Sequence, residues 1–108
     1  MRGGAKLAKL TITAVQEGLR AAIDIRNGNL PIEAQLDEAP VLSQWVLSEV
    51  GSGLHCLVGI VSGHPLLDPG WCTTSVVLVM DPHHRWARTV SRLYRLAEPL
   101  ALEIPDQS

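Results

Sequence analysis

The 108-residue chain has no phenylalanine, one tyrosine and three tryptophans, so aromatics make up only 4% of it. A core without phenylalanine has to be filled by Leu, Val and Ile, and each of the few rings carries a large share of the packing. Lysine occurs only at positions 6 and 9, and the other seven basic residues are arginine. The formal net charge of −2 lacks the basic excess of a general nucleic-acid binder. No apolar run approaches the roughly 20 residues of a membrane span. The first residues carry charge but not the apolar stretch of a secretory signal. The two cysteines, Cys56 and Cys72, are sixteen positions apart, so the close Cys pair of a structural zinc site is missing. Without a secretion signal they read as reduced thiols of a cytoplasmic protein. A G-x-S-x-G elbow is absent, and Gly51-Ser52-Gly53 is not followed by the Lys and helix of a phosphate loop. These absences argue against a catalytic residue set, a metal site and a bound cofactor, and the chain reads as non-enzymatic.

What is present fits one domain over 1–108, large enough to bury a single core. Residues 1–5 read as a loose tail. Residues 6–40 read as a helical part, in which Ile12, Val15, Leu19, Ala22 and Ile23 recur at helical spacing. Thr13 with Gln16 three residues on fits a capping box, so the helix is expected to start there and to lie over the core. Asn27-Gly28-Asn29 ends it, because Gly tolerates the left-handed conformation at a helix exit. Leu30-Pro31 opens a short second helix with Pro at its first position, closed by Ala39-Pro40.

Residues 41–97 read as an antiparallel sheet and 98–108 as a tail. Val41–Val50 and Leu54–Ser62 form a hairpin around Gly51-Ser52-Gly53. In that register Val46 faces Val58, Glu49 faces His55, and Trp45 covers Gly59. Gly63–Trp71 (GHPLLDPGW) is a loop, and Cys72–Met80, rich in Val and Thr, is a third strand. With Ser62 pairing near Cys72, Cys56 lies about six residues, or roughly 20 Å, along the strand, too far for a disulfide.

Trp86–Leu96 fits two readings. As a helix it would be capped by Asp81-Pro82, with Arg85, Arg88, Arg92 and Arg95 on one face. As a strand it would carry Trp86, Arg88, Val90, Arg92 and Tyr94 on one face. The short turn before it and its Trp, Thr, Val and Tyr content favour the strand. The expected fold is therefore α+β: an N-terminal helix and a short second helix packed on a four-stranded antiparallel meander. Val58 and Ile60 fall on one side of the second strand, Leu57 and Val61 on the other. A sheet apolar on both faces either curls into a small barrel or meets a partner, which includes a second copy of the chain.

The densest chemistry lies between Leu54 and Leu96, which holds both cysteines, all four histidines and four of the seven arginines. His64 with Ser75, Ser91 or a cysteine has no local hydrolase signature and reads as a turn residue or one packed over Trp71. Arg85, Arg88, Arg92 and Arg95 interleave with Trp86 and Tyr94. Arg binds carboxylate and phosphate through two parallel hydrogen bonds, and Arg with aromatics is what protein interfaces enrich. The same arginines also fit a solvated face whose stems cover apolar residues.

Gly63-His64-Pro65, Gly70, Thr74-Ser75, Asp81 and the run WARTVSRLYRL from Trp86 to Leu96, with APVLSQW from Ala39 to Trp45, resemble a group of small bacterial proteins of unknown function. These occur in alphaproteobacteria and their mobile elements and share a pattern close to GHP…G…TS…D…WARTxSRxYRL. The resemblance covers roughly the last two-thirds of the chain. The T-S-x-V and R-T-x-S-x-x-Y spacing is also similar to β-hairpin segments of phage-encoded proteins. The resemblance implies an accessory or anti-defence protein of a phage or plasmid. The function expected from residues and resemblance together is a cytoplasmic protein-binding module. Its expected contact residues are His64, Trp71, Arg85, Trp86, Arg88, Arg92, Tyr94 and Arg95. Nucleic-acid binding through the same arginines is the second expectation, and a small hydrolase or metalloprotein the third.

Overall fold

The computed structural model describes residues 11–101. The expected tail at 1–5, the upstream part of the helix and the end of the C-terminal tail lie outside these residues. Helix α1 spans Ile12–Arg26 and α2 spans Glu33–Glu38. Five strands follow: β1 Val41–Gly51, β2 Leu54–Ser62, β3 Gly70–Met80, β4 Trp86–Thr89 and β5 Leu93–Leu96.

The cap of α1 is Thr11, not Thr13. Thr11 is extended, and its hydroxyl accepts from the Ala14 amide at 3.0 Å, so the helix begins before the expected capping box. Gly28, at φ +102°, carries the chain out of the helix as the sequence suggested. Pro31 precedes α2 instead of opening it: Ile32 is the cap residue, and its amide donates to Gln35 Oε1 at 2.9 Å.

The sheet has five strands, not four, and it closes into a barrel in the order β1-β2-β3-β4-β5. The extra strand arises because Trp86–Leu96 is interrupted by a turn, where the Thr89 amide donates to the Arg92 carbonyl at 2.9 Å. Each antiparallel step reverses chain direction, so the first and fifth strands of a meander point the same way. Closure is accordingly parallel, Val41 against Arg95 and Leu42 against Leu96. The turn also overturns the expectation that Trp86, Arg88, Val90, Arg92 and Tyr94 share one face. Ala87, Thr89, Tyr94 and Leu96 point into the barrel and are buried, whereas Trp86, Arg88, Leu93 and Arg95 alternate to the outside.

The β1–β2 register is the expected one, with Val46 opposite Val58 and Glu49 opposite His55. Gln44 (φ +49°) bulges, so that Gln44 and Trp45 together face Gly59. A Cβ on Gly59 would stand 3.1 Å from Trp45 Cα and 2.9 Å from the Ser43 carbonyl oxygen, which explains a glycine inside a strand. On the β3 side the register is corrected. Cys72 faces Gly59, not Ser62, because β3 starts at Gly70 and the loop is shorter than its composition implied. Cys56 is then three residues from that pairing, about 10 Å, and both cysteines are free thiols.

The core is the barrel interior: Leu42, Trp45, Leu57, Val61, Ala87, Tyr94 and Leu96, with Cys72, Val77 and Met80 packed against it. Residues 98–101 run along β1. Gln44 N–H donates to the Glu98 carbonyl at 2.7 Å, Leu100 N–H donates to the Trp45 carbonyl at 3.0 Å, and the Trp45 indole donates to the Ala97 carbonyl at 2.9 Å. Helix α1 contacts β3 and β4, and α2 contacts β5. The buried face of α1 is Gly18 and Ala22, while Ile12, Leu19 and Ile23 of the apolar stripe are exposed. Small residues win this contact because the helix approaches the β4–β5 turn so closely that a Cβ on Gly18 would collide with the Val90 carbonyl oxygen.

Candidate functional site

The strand directions bring two irregular segments to one end of the barrel. The start of β1, the end of β2, the start of β3, the end of β4 and the start of β5 all lie there. The β2–β3 loop (63–69) and the β4–β5 turn (90–92) therefore share a mouth, and the β1–β2 and β3–β4 turns share the opposite one.

The mouth is built as follows. Gly63, at φ +74°, turns the chain out of β2. His64 Nδ1 then accepts from the Leu66 amide at 2.9 Å, a local side-chain-to-backbone bond that shapes the loop. The His64 ring rests over Tyr94, centroids 6.2 Å apart and tilted by 40°. Tyr94 is only 3% exposed, and its hydroxyl has no hydrogen-bond partner among the described residues. Burial, with the Cys72 sulfur nearby, pushes the Tyr94 phenol up to about 12, against the opposing effect of Arg92. Burial also raises the Cys72 thiol, so it stays protonated and is a poor nucleophile. His64 is pushed down by burial and then by the Arg92 charge.

The turn opposite is clamped to β3 by hydroxyls. Ser75 and Ser91 share a 2.8 Å hydrogen bond, the Ser91 amide donates to Ser75 Oγ at 3.1 Å, and the Thr89 hydroxyl donates to the Arg92 carbonyl at 3.0 Å. The Thr-Ser and R-T-x-S parts of the sequence pattern thus hold a turn. Neither serine reaches His64 by hydrogen bond among the described residues, so the hydrolase pairing is not assembled.

The four arginines do not form one face. Arg85 Nε bonds Asp81 Oδ2 at 2.6 Å. Arg88 is half-buried, and its Nε donates to the Thr89 carbonyl at 2.9 Å. Its guanidinium is disfavoured by burial and by neighbouring Arg92, with Glu17 of α1 opposing. Arg95 lies 3.8 Å from Asp37 of α2. Arg88 and Arg92 have no carboxylate within ion-pair distance among the described residues, and Arg88 is instead hydrogen-bonded to backbone carbonyls. The aromatics separate as well. Trp86 and Tyr94 are buried, on opposite sides of the sheet, whereas Trp71 is 64% exposed at the start of β3. Leu66, on the β2–β3 loop and 66% exposed, was not picked out from the sequence. Its signal was present in two adjacent leucines between prolines in a segment with no apolar periodicity. A cleft of about 410 Å³ lies between the helices and the outer face of β4–β5, with Arg88 and Leu93 among its lining. No group of three or more His, Cys, Asp or Glu side chains is placed to hold a metal among the described residues. No helix among them is long and apolar enough to cross a membrane.

The fold and its mouth define a small five-stranded β-barrel with an N-terminal helix laid across its side. Residues 5–104 match a family of unknown function (DUF6634), and the chain belongs to that family. No curated protein and no solved structure matches it.

Proposed function

We propose that the protein is a non-enzymatic protein-binding module that docks through the β2–β3 loop 63–69 and the first residues of β3, Gly70-Trp71, at the barrel mouth. The observation that carries this reading is the exposure of Trp71 and Leu66 in a chain with four aromatic residues. Trp is among the residue types that interface hot spots enrich, and exposed Leu66 lies five residues before Trp71 in the chain. Across the sheet Trp71 is paired with half-buried Ile60, which extends the apolar patch onto the barrel wall. The unpaired Arg92 supplies charge at the same mouth. The dispersal of Arg85, Arg88 and Arg95 into contacts within the fold favours a protein partner over nucleic acid, which needs several free cations along one surface. The resemblance to mobile-element proteins suggests a cytoplasmic accessory or anti-defence role.

The test is photo-crosslinking from position 66 in cells of the native host, with the crosslinked partner then purified and its binding measured. Trp71→Ala is expected to leave stability within about 0.5 kcal/mol and to weaken binding by about 2 kcal/mol or more. Unchanged binding by Trp71→Ala would move the docking surface elsewhere. Affinity falling steeply with log[salt] on DNA or RNA would replace the reading with a nucleic-acid regulator.

A further inference from the structure

Strand β1 is paired along its length on one side and only over its first half on the other. Toward β2 its partners run from Val41 to Gly51. On the far side Val41 and Leu42 meet β5, and Gln44 and Trp45 meet residues 98–100. Beyond Trp45 no second strand lies against β1 among the described residues. Two hydrogen bonds fix which way the backbone points there. The Trp45 carbonyl accepts from the Leu100 amide and so faces away from β2, and alternation turns the N–H and C=O of Leu47 and Glu49 the same way. Independently, the Leu57 amide donates to Thr74 Oγ1 of β3 at 2.9 Å, so it faces away from β1. Its antiparallel partner Leu47 is then in a pair that exchanges no hydrogen bonds, and its own N–H and C=O face away from β2. The main-chain groups of Leu47 and Glu49 are thus a bare sheet edge.

Such edges are normally guarded by Lys, Pro or a very short strand. Residues 46–50 contain no Lys, Arg or Pro. Leu47 and Val50 are exposed, as is Leu54 across the hairpin turn. An unguarded edge takes up an extended segment through main-chain bonds, and side chains at alternate positions select it. Charge narrows the occupant. Glu49 is exposed on this edge and faces His55 on β2, with no Lys or Arg within ion-pair distance among the described residues. Residues 41–81 hold no Lys or Arg at all. A second copy of the chain fits poorly. The Trp45 carbonyl is taken, so two such edges can pair only about Ser48 or Glu49, which sets the two Glu49 carboxylates diagonal or directly opposite. A foreign segment with a basic residue beside Glu49 and an apolar one beside Leu47 meets both demands.

We propose that residues 46–50 of β1 form a second docking edge, which accepts an extended segment of a protein partner carrying a basic residue beside Glu49. This edge lies at the end of the barrel opposite loop 63–69 and does not rest on the reading of that loop. The probe is the capped peptide acetyl-Val-Lys-Thr-Val-Val-amide, titrated into the full chain and followed by backbone amide NMR. Paired antiparallel, it sets its lysine beside Glu49 and its fourth residue beside Leu47. Saturable shifts are expected at residues 46–50, with slowed exchange of the Leu47 and Glu49 amides. The same peptide N-methylated at its lysine and fourth residue should not bind, because those amides face β1. Glutamate in place of the lysine should weaken binding about fivefold. Leu47→Pro, which removes an outward N–H, and Leu47→Lys, which adds a guarding charge, should each lose binding. The lysine variant decides the matter if the proline variant fails to fold. Trp71→Ala should bind the peptide as the parent does, so a failure of the loop as a docking surface shows separately. Absence of saturation at residues 46–50, or equal binding of the N-methylated peptide, overturns the proposal. So does slow exchange of both amides before peptide is added, which would mean that the edge is covered by the chain's own residues or, where it grows with protein concentration, by a second copy.

Discussion

Asp81 shows how one buried carboxylate organises a turn and consumes an arginine. It is 3% exposed, accepts from the Arg85 amide at 3.0 Å and from Arg85 Nε at 2.6 Å, and its carbonyl accepts from the His84 amide. The hydrogen bond from the Arg85 side chain is the main reason its acid strength is raised, that is, its pKa is lowered. A group whose folded pKa lies below the unfolded one stabilises above the unfolded value and loses that contribution as pH falls through the folded value. Asp81→Asn is therefore expected to be less stable than the parent at pH 7. The gap should close as pH drops below about 4, the ordinary range of an unfolded Asp; urea titrations across pH measure it. Tyr94 has the opposite sign. As the only tyrosine, it can be titrated by absorbance without ambiguity. It is expected to stay neutral in the folded protein to about 12, with stability falling once pH exceeds about 10, where an unfolded tyrosine ionises. Ionisation of the native fold near 10 would mean that the hydroxyl reaches solvent. At the same scale Trp45→Ala is expected to cost about 3–5 kcal/mol. The indole fills the barrel over Gly59 and ties Ala97 by its N–H.

At the scale of the element, the contact of α1 with the barrel rests on an absent side chain. Gly18→Ala would ordinarily favour a helix by about 1 kcal/mol. Here the added methyl meets the Val90 carbonyl oxygen, so the variant is expected to lose more than about 1 kcal/mol of stability in thermal or urea unfolding. A gain would show that α1 can shift away from the turn. Helical periodicity identified the helix but ranked its faces by hydrophobicity. Ile12, Leu19 and Ile23 stayed outside because closeness of approach, not apolar area, selected Gly18 and Ala22. The segment 86–96 shows the same limit. Its strand character was legible from Trp, Thr, Val and Tyr, but the turn at 90–92 was not. That turn has neither Gly nor Pro and is held by side-chain hydroxyls from β3, sixteen residues away in the case of Ser75 and Ser91.

At the scale of the molecule, closure of the barrel distributes stability around a ring. The Arg95 amide donates to the Pro40 carbonyl and the Ala97 amide to the Leu42 carbonyl, each at 2.9 Å, and these bonds close it. Those two amides are expected to exchange with solvent as slowly as the central amides of β2, because opening the seam opens the core. Fast exchange at Arg95 and Ala97 alone would indicate an open sheet. The amino-acid order by itself determined the α+β class, the helix exits, the β1–β2 register and the need to cover both faces of β2. These depend on neighbours close in sequence and on alternation along one strand. Only the tertiary structure decided that the second face is covered by closure, that Cys72 lies against Gly59, and that the arginines part company. The fates of Arg85, Arg88, Arg92 and Arg95 depend on Asp81, two turn carbonyls, an open mouth and Asp37, and no spacing within the Arg-rich segment encodes which of these each will meet.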